Sequence, residues 1–147
     1  MKIYTIGFTK KSAEQFFELI KQNQITLLVD VRLNNKSQLA GFSKGTDLAY
    51  FLSEICATRY IHCDELAPTK ELLSEYQKGY VSWEEYERRF EEIMEQRGAY
   101  KAFLSRFSKY ERVCLLCSEE KADHCHRRLV AEKIHSCSPD QVEIIHL

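Results

Sequence analysis

Thr26-Leu27-Leu28-Val29-Asp30-Val31-Arg32 is the stretch on which the fold turns. Its apolar residues run continuously and do not alternate with polar ones, as in a strand covered on both faces by helices, the pattern of a parallel sheet. The run then breaks into an acid and a base. Working outward, similar short runs recur between segments with helical spacing. Ile3 to Ile6 reads as a strand with Gly7 turning after it, and Arg59 to Cys63 as another. Arg112 to Cys117 and Gln141 to His146 complete the set.

The intervening segments carry helix signals. Ser12-Ala13-Glu14-Gln15 and Ser82-Trp83-Glu84-Glu85 have the spacing of capping boxes. Ala13, Phe16, Leu19 and Ile20 recur at helical intervals, as do Tyr86, Phe90 and Ile93 ahead of a stop at Gly98. Leu48, Phe51, Leu52 and Ile55 mark a helix after Thr46 or Asp47. Pro68 and Thr69 start one with Leu72, Leu73 and Tyr76; Tyr100, Phe103, Leu104 and Phe107 mark another. Asp123 is the expected cap of the last helix, which carries Leu129, Val130 and Ile134. Residues 33–45 read as a long polar loop. Strands alternating with helices predict an α/β, Rossmann-like three-layer fold, with a mostly parallel sheet of about five strands flanked by helices. At 147 residues, one α/β domain over 1–147 is expected.

Composition narrows the function classes. Hydrophobic residues make up 44% of the chain, which places it among globular proteins. Its 21 basic and 22 acidic side chains leave a net charge of −1, without the basic excess that duplex-wrapping proteins show. Nucleic acid is therefore not indicated by net charge. No apolar stretch approaches the ~20 residues of a membrane span. The amino terminus reads as a strand and not as an export signal, so a cytoplasmic setting is expected, with all six cysteines as reduced thiols. The nucleotide fingerprints G-x-G-x-x-G and G-x-x-x-x-G-K-[ST] do not occur. Nothing in the sequence speaks to oligomeric state.

The chemistry gathers at strand ends. Cys117-Ser118-Glu119 closes one strand, and Cys125-His126-Arg127 opens the next helix. A helix start lowers a thiol pKa and attracts anions, which marks Cys117 as a candidate nucleophile. Glu119 and His126 are the acid/base candidates, and Arg127 suits a carboxylate or phosphate. Cys114, three residues before Cys117, points to the opposite sheet face and reads as core. Asp30 and Arg32 end the second strand, and His62 and Glu65 follow the third. With Gly7 and Cys125, these residues are the expected substrate-binding set. The leading expectation is a thiol-dependent enzyme acting on a small anionic, phosphorylated or nucleotide-like substrate, and it calls for no cofactor and no metal. Two alternatives stand beside it. One is a non-catalytic nucleotide or nucleic-acid binding module using Arg32, Lys44 and Arg127, with Phe8 or Phe42 stacking on a base. The other is a metal site of Cys117, Cys125 and His126 with His62 or Cys63.

Four segments resemble the bacterial and archaeal "domain of unknown function 488" family. Tyr4-Thr5-Ile6-Gly7-Phe8-Thr9 is similar to its T-I-G-H-S opening and Leu28-Val29-Asp30-Val31-Arg32 to its L-V-D-V-R strand. Arg59-Tyr60-Ile61-His62 with Glu65-Leu66 resembles its R-Y-x-H-x-x-E-L stretch. Leu116-Cys117-Ser118-Glu119 with Cys125-His126-Arg127 resembles its C-A-E and C-H-R pair. The resemblance implies an α/β fold and a common site built from these segments, without implying a reaction. Phe8 departs from it, standing where the family often has histidine. The Asp30-Val31-Arg32 strand also resembles that of rhodanese domains, a likeness of fold alone.

Overall fold

The structure is a computed structural model and describes residues 1–36 and 40–147. Residues 37–39, the middle of the expected 33–45 loop, lie outside the described residues. Five strands, β1 (Lys2–Gly7), β2 (Leu27–Asp30), β3 (Arg59–His62), β4 (Arg112–Cys117) and β5 (Glu143–His146), form one sheet in the order β3-β2-β4-β1-β5. Every pairing is parallel, with Asp30 opposite His62 and Leu116, and Gly7 opposite Cys117. The carboxyl ends of the strands therefore lie along one edge.

Among the described residues, six α-helices cover the two faces: α1 (Ala13–Gln22), α2 (Gly45–Cys56), α3 (Lys70–Gln77), α4 (Trp83–Arg97), α5 (Ala99–Phe107) and α6 (His126–Cys137). On one face Phe16, Ile20, Leu48 and Leu52 of α1 and α2 pack against Tyr4, Ile6, Leu28 and Cys114. On the other, Leu72, Phe90, Met94, Phe103 and Val130 of α3 to α6 pack against Ile3, Leu27, Val29 and Leu115. Adjacent strand residues feed opposite cores, which is why the runs are apolar throughout. Cys114 and Cys117 accordingly fall into different cores.

Local chemistry sets the element ends. Ser12 and Gln15 exchange both bonds of a capping box, at 3.1 and 2.9 Å. Ser82 accepts from the Glu85 N–H at 3.1 Å, but the Glu85 carboxylate turns to Arg88, so only half of the second box forms. Gly98 ends α4 with φ of 61°, a left-handed conformation that glycine adopts without Cβ strain. Asp123 is not the cap of α6. The chain first turns through a Cys125 N–H bond to the Ala122 carbonyl, and Cys125 takes the cap position without a side-chain bond. The expected 33–45 loop also contains a 3₁₀ turn over Gly41–Ser43, and α2 begins at its last residue, Gly45.

The strand order fixes where a ligand site can form. From β2 the chain moves outward to β3 through α2 on one face; from β4 it moves the opposite way to β5 through α6 on the other. Neighbouring strands whose connections diverge leave a crevice between their carboxyl ends. Here that crevice lies between Asp30 and Cys117.

Candidate functional site

Cys117 is the last residue of β4 and Cys125 the cap of α6, with His126 the first residue of that helix; all three are buried. One ligating atom from each of them lies within 4.8 Å of the others. The neighbouring Cys125 side chain, the Ser118 N–H and the Arg127 charge all favour the thiolate form of Cys117. Together these outweigh burial and hold the Cys117 thiol below its ordinary pKa. The Cys125 thiol is pushed well up, first by the Cys117 side chain and then by burial. The pair thus concentrates thiolate character on one sulfur.

His126 donates from Nε2 to the Val31 carbonyl at 2.7 Å. A carbonyl only accepts, so Nε2 carries the proton in this bond, and in the neutral ring Nδ1 keeps its lone pair. The Cys117 sulfur stands 3.8 Å from both ring nitrogens. Equal distances place it off the Nδ1 lone-pair axis, because a sulfur on that axis would be much farther from Nε2.

The loop after β4 is held from three sides. Thr9 donates to the Ser118 carbonyl at 2.5 Å. Arg127, wholly buried, donates to the Glu119 carbonyl at 2.5 Å and to the Glu120 carbonyl at 3.2 Å, with Cys125 Sγ 3.5 Å away. A Cβ on Gly7 would lie 1.6 Å from the Glu119 oxygen and 3.2 Å from Arg127 Nη1. Gly7 is therefore demanded by the close approach of this loop. Gly7 and Arg127 build the loop and do not line the crevice. The Glu119 carboxylate is exposed at its rim.

Across the crevice, Arg32 makes a two-pronged pair with Asp30 at 2.9 and 2.7 Å, and donates again to the Ser43 carbonyl at 2.7 Å. Tyr60 donates to Asp30 at 2.6 Å and accepts from Asn35 at 3.0 Å. This buried network leaves one donor over. Arg32 is 3% exposed, yet its Nη1 has no hydrogen-bond partner among the described residues. Phe8, also buried, lies under the guanidinium with its ring centre 5.2 Å away. His62 lies at the end of β3 and bonds through Nε2 to the Arg32 carbonyl at 2.7 Å, so it braces the segment from which Arg32 projects.

Cys117, Cys125, His126, Arg32 and Glu119 line a common cavity of about 410 Å³, within the range of small-molecule sites. One side of the cavity carries aromatic rings. Tyr76, Trp83, Tyr86 and His124 border it, with Trp83 stacked on Tyr86 at 5.1 Å and on His124 at 5.0 Å. Sequence reasoning placed Tyr76 and Tyr86 in helix cores and gave Trp83 and His124 no role. Their one signal was an aromatic cluster at the starts of α4 and α6, the two elements that frame the strand end.

Glu65 stands apart. It lies in a 3₁₀ turn over Asp64–Leu66, accepts from the Cys63 thiol at 2.8 Å and pairs with Arg106 at 3.3 Å, lining a different cavity of about 520 Å³. Phe42 packs on Phe16 and Phe17 at 5.2 and 5.8 Å, on the α1 and α2 face. Neither it nor Phe8 is among the residues that line the crevice.

A family model described as a domain of unknown function, DUF488, matches residues 12–134. The chain belongs to that family. The match takes in β2, β3, β4 and most of α6, and hence Asp30, Arg32, His62, Cys117 and the Cys125-His126-Arg127 run. It begins after Tyr4–Thr9, so β1 with Gly7, and Phe8 after it, lie outside the DUF488 match. Comparison with curated proteins and with solved structures gives no match. All six cysteines are free. Among the described residues, no helix is long and apolar enough to cross a membrane.

Proposed function

We propose that this chain is a thiol-dependent enzyme acting on a small anionic substrate in a cytosolic setting, with Cys117 as its nucleophile. The observation that carries this reading is the placement of Cys117, which lines a cavity with the Cys125 and His126 groups close beside its sulfur. Cys125, the Ser118 N–H and the Arg127 charge favour its thiolate form, the condition that activates a thiol. Arg32 supplies a fixed charge with a spare donor at the same cavity. The thiolate would attack an electrophilic centre, forming a bond from sulfur and expelling a leaving group with its electron pair. His126 borders the same cavity as an acid/base candidate whose ring must turn to bring Nδ1 to bear on the sulfur, and Glu119 stands at the rim as a second one.

A metal site is the second reading, favoured by the closeness of the Cys117, Cys125 and His126 ligating atoms. The ring orientation weighs against it. Nε2 is committed to Val31, and Cys117 lies off the Nδ1 axis, so an ion shared with both sulfurs would require the ring to turn.

Alkylation of the native protein by iodoacetamide across pH, read at each cysteine by peptide mass spectrometry, separates the readings. The thiol reading expects fast labelling of Cys117, with a midpoint below the ordinary thiol value of about 8.5. Slow labelling that a chelator leaves unchanged would overturn it. Slow labelling that a chelator accelerates would support the metal reading instead.

A further inference from the structure

Tyr86 is buried, with 2% of its surface exposed, yet it borders the same cavity as Cys117 and Arg32. Its ring is clamped: Trp83 stacks at 5.1 Å, Phe90 lies nearly parallel at 6.1 Å, and Tyr76 crosses at 4.9 Å. Such packing fixes where the hydroxyl points. That hydroxyl forms no hydrogen bond among the described residues, and Cys117 lies near enough for its charge to act on it. The ring is buried while the hydroxyl borders the cavity as a free donor. Arg32, which borders the same cavity, has a buried Nη1 without a hydrogen-bond partner among the described residues, and an unpaired buried donor carries a cost that a bound acceptor would remove.

We infer that Tyr86 and Arg32 form a two-donor clamp that holds the carboxylate or phosphate group of the substrate against Cys117. The inference rests on the thiolate reading of Cys117. Burial, followed by the charge of Cys117, pushes the Tyr86 hydroxyl above its ordinary range, so it stays protonated and remains a donor. Arg32 contributes charge and Tyr86 a neutral hydrogen bond beside the reacting sulfur. That division leaves Arg32 as the one cation of the clamp and keeps the group nearest the thiolate neutral.

The test compares two alkylating probes on Cys117, anionic iodoacetate and neutral iodoacetamide, in the wild type and in Tyr86→Phe. This substitution removes the hydroxyl and keeps the ring. Arg32→Ala would strand the buried Asp30 carboxylate and is the poorer variant. The clamp expects the iodoacetate-to-iodoacetamide rate ratio at Cys117 to exceed that of the unfolded chain. It expects the ratio to fall by about tenfold in Tyr86→Phe, the scale of one hydrogen bond to a charged group, with the iodoacetamide rate unchanged. Suppression of the iodoacetate advantage by inorganic phosphate would assign a phosphate-bearing substrate; indifference to phosphate would assign a carboxylate. Fast iodoacetamide labelling with the same ratio in both proteins would overturn the clamp and leave the thiolate reading standing. Slow labelling of wild-type Cys117 by both probes would overturn the two together.

Discussion

Cys117 and Cys63 stand at the carboxyl ends of β4 and β3, both buried, each under the influence of an arginine and each lining a cavity. Their chemistry is opposite. At Cys117 the neighbours favour the thiolate, and the thiol is held below its ordinary pKa. At Cys63 burial raises the thiol and the Glu65 carboxylate accepts its proton, so it is pushed up to about 12. Arg106 lies 3.9 Å from Cys63 and is too weak an influence to reverse this, since it is also paired with Glu65. Burial and a nearby cation are common to both sites. What differs is the partner of each sulfur: a carboxylate that accepts at Cys63, and groups that favour the thiolate at Cys117.

Gly7→Ala should break the comparison outright. The added methyl overlaps the Glu119 carbonyl, which Arg127 holds in place, and relief requires the loop carrying the Ser118 donor to move. Overpacking of this kind costs roughly 2–4 kcal/mol, measurable by urea denaturation. In the fraction still folded, Cys117 should lose its fast labelling while Cys63 is unchanged. A stability within about 0.5 kcal/mol of wild type would show that the loop yields easily.

Glu65→Gln should convert the inert thiol. Removing the carboxylate takes away the acceptor charge but leaves burial, so the Cys63 midpoint should drop from about 12 toward the ordinary thiol value without reaching it. Labelling of Cys63 at pH 8.5 should rise by about tenfold or more, with Cys117 unaffected. The sign follows from linkage. A folded value above the unfolded one means that Cys63 contributes stability fully below about pH 8.5 and loses it as pH rises toward about 12. In Glu65→Gln that loss should be complete at lower pH. An unchanged Cys63 midpoint would assign its inertness to burial alone.

Much of this frame was legible in the sequence. The uninterrupted apolar run of Thr26 to Val31 implied a strand covered on both faces, and the period of two in a strand separated Cys114 from Cys117. The Ser12 and Gln15 spacing gave the start of α1. Strand order is set by long-range pairing, which leaves no local mark, so the crevice between β2 and β4 could not be located beforehand. Tyr86 shares the helical period of Phe90 and so reads as core; only the packing of α4 over the end of β4 turns it toward Cys117. Glu65 is close to His62 in sequence, but the 3₁₀ turn over Asp64–Leu66 carries it to another cavity. Residue type and nearness along the chain do not specify that turn.

The finest test dissects the Cys117 side alone. Cys125→Ala removes the side chain with the largest effect on Cys117, leaving the Ser118 N–H and the Arg127 charge. The midpoint of Cys117 labelling should rise by about one pH unit, the scale of a single charge-assisted hydrogen bond. Cys125→Ser retains a hydroxyl donor in nearly the same place and should keep the midpoint low. A rise in both variants would mean that sulfur packing at Cys125 matters more than its proton; a rise in neither would shift the weight to Ser118 and Arg127. Only the split between alanine and serine makes Cys125 the counterpart of Glu65, the one neighbour giving a proton where the other takes it.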